Sequence, residues 1–92
     1  MKSLLEAIKL HPDTFIYTLQ CRAATTPSEH NRRNHMALAA HIAGKNWEGV
    51  EEIIQKPQYR SGLEGVVICL SLDDDYSIKS KIIELFEEGK LV

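Results

Sequence analysis

The chain is poor in the features that mark secreted, membrane-spanning or metal-clamped proteins. It has two cysteines, Cys21 and Cys69, each inside an apolar run. A secreted domain of this size is usually stapled by several disulfides, so two thiols that read as buried predict a reducing compartment. No apolar run approaches the roughly 20 residues needed to cross a bilayer. Glu6 also interrupts the stretch where a signal peptide would extend its apolar core. A cytoplasmic protein without membrane contact is therefore expected. Neither sign of charge prevails: 11 Lys and Arg stand against 13 Asp and Glu, a formal net charge of −2. No global field draws the molecule towards nucleic acid or an anionic surface. The five glycines are scattered, and none builds a glycine-rich loop behind a strand. The fingerprints that cradle nucleotide phosphates are thus missing.

What remains is the composition of a globular protein, with 43% hydrophobic and 26% charged residues over 92 positions. That is enough for one domain over 1–92 with a modest core. Turn and cap residues divide it. Leu4, Leu5 and Ile8 share one face of a short helix, which Pro12 breaks while opening the next. Phe15, Ile16, Leu19 and Ala23 are spaced as one buried stripe. In Thr26-Pro27-Ser28-Glu29, Thr26 can cap, Pro27 suits the first helical position and Glu29 can reach back to the cap amide. The helix that follows is expected to run to about Ala43 and to end on Gly44 in the left-handed conformation. Asn46 then caps a helix carrying Trp47, Val50, Ile53 and Ile54, which Pro57 stops.

Ser61-Gly62-Leu63-Glu64 repeats the capping-box pattern ahead of Val66-Val67-Ile68-Cys69-Leu70-Ser71-Leu72. This run is apolar on every side and fits either a central buried helix or a buried strand. The cap at Ser61, and the lack of a second strand to pair with, favour helix. Asp73, Asp74 or Asp75 caps a sixth helix with Ile78, Ile82, Ile83, Leu85 and Phe86, closed by Gly89. The expected fold is all-α: about six short helices as three helical hairpins, in an orthogonal array or a short α-solenoid-like stack. The alternative is α+β, with residues 65–72 as a strand. A weak echo at spacings of 30 and 29 aligns Ala7, Ala37 and Val66, and likewise Ile8, Leu38 and Val67. Any three amphipathic hairpins of similar length would align as well.

Candidate chemistry fails on named positions. From Asp73 to Glu84 the acids resemble a calcium loop. Ile78 stands where the sharp turn demands glycine, and Lys79 and Lys81 would repel the ion. Helix capping explains the same acids better. Zinc needs thiols or imidazoles a few residues apart on one side. His30 and His35 point roughly opposite ways on a helix, as do His35 and His41, so no metal and no cofactor is expected. Cys21 and Cys69 have no adjacent base to activate them. No catalytic residues are assigned.

The most suggestive stretch is basic. Residues 22–35 hold Arg22, His30, Arg32, Arg33 and His35 against a single acid, Glu29, while residues 73–88 are acidic. Arginine and aromatic residues anchor protein interfaces. His30, Arg32, Arg33, His35, Trp47, Tyr59 and Arg60 are therefore the candidate partner-binding residues. Tyr59-Arg60 falls in a connection where an aromatic has little core to fill, whereas Trp47 can equally roof the core. The leading expectation is a non-catalytic module that binds another protein and regulates, inhibits or adapts it. One alternative is a DNA-binding regulator using the helix after Thr26. Another is a small enzyme with a dispersed site. A second copy of the chain is a further candidate partner.

Overall fold

The computed structural model describes residues 4–70. Among them every regular element is helical: α1 (Leu4–Leu10), α2 (Pro12–Thr25), α3 (Glu29–Ala43), α4 (Trp47–Ile54) and α5 (Arg60–Cys69), with a 3₁₀ turn at Pro57–Tyr59. The protein is all-α over this range. α5 is helical as far as Cys69, so the strand reading fails for residues 65–69. The apolar run is not buried on every side either. Val66, Val67 and Leu70 are buried whereas Ile68 and Cys69 are exposed, a helical alternation that one stripe of contacts satisfies. The sixth helix and the acidic segment over 73–88 lie outside the described residues.

The core takes one or two layers from each element. Ala7 and Ile8, Phe15 and Leu19, Leu38 and Ile42, Val50 and Ile53, and Leu63, Val66 and Val67 form a single cluster. Each large aliphatic or aromatic side chain placed there contributes about 1.5–3 kcal/mol by leaving water. α2 lies along α3, α1 closes on α2 and α4, and α5 packs against both α2 and α3.

The punctuation acts mostly where it was expected. Pro12 stands in the first turn of α2. The Asn46 side chain caps α4 by accepting from the Gly49 amide at 3.1 Å. Three boundaries differ. α5 begins at Arg60 with Tyr59 in the cap position and no side-chain cap, so Ser61 lies inside the helix instead of capping it. α3 is capped by Ser28, whose Oγ accepts from the Asn31 amide at 3.2 Å, while the Thr26 hydroxyl accepts from Ser28 N. Pro27 thus sits before the cap instead of inside the helix. At the other end Gly44 keeps an ordinary φ of −85°, and the left-handed residue is Lys45 with φ 56°. The reason is the closing pattern of hydrogen bonds, Gly44 N to Ala40 O and Asn46 N to His41 O, which places the reversal one residue later. α4 then starts so close to α3 that a Cβ on Gly49 would stand 2.8 Å from His41 Nδ1. A larger residue there would have to displace the His41 and Asn46 side chains.

Candidate partner-binding surface

The seven residues singled out from the sequence separate into two environments. His30, Arg32 and Arg33 are exposed on the first turns of α3. His35 and Tyr59 are not surface residues at all, being 1% and 0% exposed. Both are withdrawn from any docking role, because a partner cannot reach them. Tyr59 closes the 3₁₀ turn that feeds α5, and that turn swings its ring inward against α3. There its hydroxyl meets His35 Nδ1 at 2.5 Å, the rings edge-on with centroids 5.3 Å apart. The connection after Pro57 is short, but it is a core element.

Burial sets the protonation of this pair. Desolvation, followed by the positive charge of Arg22, lowers the His35 pKa below its usual value, so the ring is held neutral. Burial alone pushes the Tyr59 phenol well above its ordinary range, so the hydroxyl keeps its proton. His35 Nε2 and Arg22 Nε are both buried and find no hydrogen-bond partner among the described residues. Such orphaned groups cost free energy unless something compensates them.

Arg60 is half-buried at the start of α5, and Trp47 is half-buried against the core. The Lys9 ammonium lies 5.7 Å from the Trp47 ring centroid, within cation–π reach. Trp47 therefore roofs the core and shows one edge to an open cleft shared with Lys9, Asp13 and Lys45.

Successive turns of α3 bring Glu29, Arg32, Arg33, Met36, Ala40 and Ala43 to its outer face, all of them exposed. Glu29 is the organising acid. Its carboxylate accepts from Arg32 Nη1 at 2.7 Å and from Arg33 Nε at 3.3 Å. One carboxylate against two guanidinium groups leaves a net single positive charge on the upper face. Behind it, buried Asn34 donates to the His30 carbonyl at 3.0 Å and lies 3.3 Å from His30 Nε2, which ties the imidazole back onto the helix. Met36 follows one turn below the arginines and is 56% exposed. Ala40 and Ala43 continue the face with nothing longer than a methyl group. From the sequence, Met36, Leu38, Ala39, Ile42 and Ala43 read as the buried residues of this helix, but Met36 and Ala43 are exposed. A helical wheel through Leu38 and Ile42 would have placed Met36 opposite them.

The two cysteines are free thiols, but both are exposed where the sequence reads them as buried. No helix among the described residues is long and apolar enough to cross a membrane. Among the described residues no group of three or more His, Cys, Asp or Glu could hold a metal ion. Compared with models of protein families, with curated proteins and with solved structures, the chain finds no match in any of the three.

Proposed function

We propose that this domain is a non-catalytic protein-binding module whose docking surface is the outer face of α3. The observation that carries this reading is Met36, a large flexible apolar side chain standing exposed beside two arginines on a face of otherwise short side chains. Methionine and arginine are enriched at protein interfaces, and methionine adapts its shape to a socket. The pre-formed Glu29 pairs hold both guanidinium groups in place, so less side-chain entropy is lost on docking. A partner with an apolar socket for Met36 and an acidic rim for the arginines fits this face, and the charge steers its approach. The helices are read as hairpins packed side by side, with α2 and α3 the central pair.

The DNA-binding alternative is weaker. Electrostatic affinity for a duplex rests on several free cations meeting phosphates. Here Arg32 and Arg33 share an acid, and the chain is net negative.

The test is comparative capture from native lysate by the full chain and by a double variant, Arg33→Glu with Met36→Asp. Both positions are exposed, so the variant should stay folded with its helix content retained and only a modest fall in melting temperature. A protein retained by the parent and lost by the variant is expected. Identical capture by both would remove the α3 face from consideration. A mobility shift with duplex DNA at low salt, abolished by Arg32→Ala with Arg33→Ala, would replace this reading with the alternative.

A further inference from the structure

In the sequence Cys21 and Cys69 lie far apart, and neither has an adjacent base. The fold brings both to the lining of one groove. Tyr17, Cys21 and Thr25 form one column along α2, and Thr18 and Arg22 form the next, because residues four apart share a helix face. α5 approaches this side of α2 at Gly65, where an added Cβ would stand 3.0 Å from an Arg22 guanidinium nitrogen. Cys69 lies one turn further along α5. The result is an open groove of about 320 Å³ whose lining includes Cys21, Cys69, Arg22, Thr18 and Thr25. Both thiols are free and exposed to it. Arg22 forms no ion pair with any described residue, and its Nε is buried without a partner among them.

We infer that the α2–α5 groove is a binding site for a soft monovalent cation, Cu(I) or its mimic Ag(I), held by Cys21 and Cys69 as a bis-thiolate. Thiolate sulfur selects soft ions of this kind. Zinc is a poor fit, since its structural sites take four nitrogen or sulfur ligands. The groove supplies two thiols and the hydroxyls of Tyr17, Thr18 and Thr25, with no third metal-binding side chain among the described residues. Charge favours the same choice. Each thiol gives a proton to solvent as its sulfur–metal bond forms, so two protons leave and no oxidation state changes. Two thiolates and one monovalent cation carry a net charge of −1, and the Arg22 guanidinium on the groove wall, which no described acid neutralises, balances it. The site shares no residue with the α3 outer face and does not depend on that reading.

The decisive experiment is anaerobic competition between the fully reduced chain and a chromophoric Cu(I) chelator, read by the chelator's absorbance. One equivalent of Cu(I) per chain should transfer to the protein. Cys21→Ser and Cys69→Ser should each weaken binding by about a hundredfold, because the second sulfur acts at high effective concentration once the first is bound. Arg22→Gln should weaken it by about tenfold, as loss of a group tuning the metal–ligand unit from outside commonly does. Helicity by circular dichroism reports that each variant is folded. As a check that needs no substitution, phenylarsine oxide, which bridges only neighbouring thiols, should protect both cysteines of the parent chain from alkylation. No transfer of Cu(I), affinity unchanged in either serine variant, or both cysteines still alkylated after phenylarsine oxide would overturn the inference.

Discussion

Two regions of this molecule use the same residue types to opposite ends. On the outer face of α3, Arg32 and Arg33 stand in water, paired with Glu29, and His30 is tied to its own helix. Beneath α3, His35 is buried against Tyr59, and Arg22 helps to depress its pKa from a half-buried position with no ion pair to any described residue. A count of charges along residues 22–35 merges the two into one basic end. The fold separates them by helical phase. Polar residues facing out are available to a partner and contribute little to stability. Those facing in decide stability and its pH dependence, and no partner can reach them.

Substitutions that break this contrast should differ most between the histidines. His35→Ala empties a buried site and strands the Tyr59 hydroxyl, so a loss of about 2–4 kcal/mol is expected in urea unfolding. His30→Ala should stay within about 0.5 kcal/mol. Equal effects would mean that the inner and outer assignments are wrong. Next in size is Tyr59→Phe, which leaves His35 Nδ1 buried and unpaired at a cost of about 1–3 kcal/mol.

The pH dependence of stability sharpens the comparison. Folded His35 has a lowered pKa, whereas in the unfolded chain it takes up a proton near about 6.5. Below that pH the unfolded state binds more protons than the folded state, so unfolding becomes easier as the solution is acidified. Stability measured from neutral pH down through this window should therefore fall, and His35→Phe should flatten the fall. Arg22→Met should flatten it too, because removing the positive charge lets the His35 pKa rise towards its usual value. The smallest effects belong to the exposed pairs. Arg32→Ala or Arg33→Ala should each cost less than about 1 kcal/mol, and less again in high salt.

Much of the helical frame was legible in the sequence because its signals are local. Pro12, Asn46 and the stripe Phe15–Leu19–Ala23 depend only on neighbours within two turns. The boundaries that shifted involve competition between adjacent candidates. Thr26 and Ser28 can both cap, and Ser28 wins by reaching the Asn31 amide, while the reversal after α3 falls on Lys45 because the hydrogen bonds close one residue past Gly44. The candidate surface was half legible. Arg32 and Arg33 follow from exposure at a polar helix start, but Met36 is an apolar residue and reads as core unless its phase is compared with Leu38. Tyr59 and the two cysteines could not be placed at all, since their surroundings come from α3 in one case and from the meeting of α2 with α5 in the other. Those contacts join residues far apart in the chain, and no local pattern records them.

The central claim is that the outer face of α3 docks a protein, and one measurement addresses it most directly. A photo-crosslinking amino acid placed at position 36, and separately at exposed Gln20 on α2, is activated in native lysate. A discrete crosslinked protein at position 36, absent at position 20 and suppressed when Arg33→Glu is added, is the predicted result. Crosslinks that are the same at both positions, or none at position 36, would contradict it.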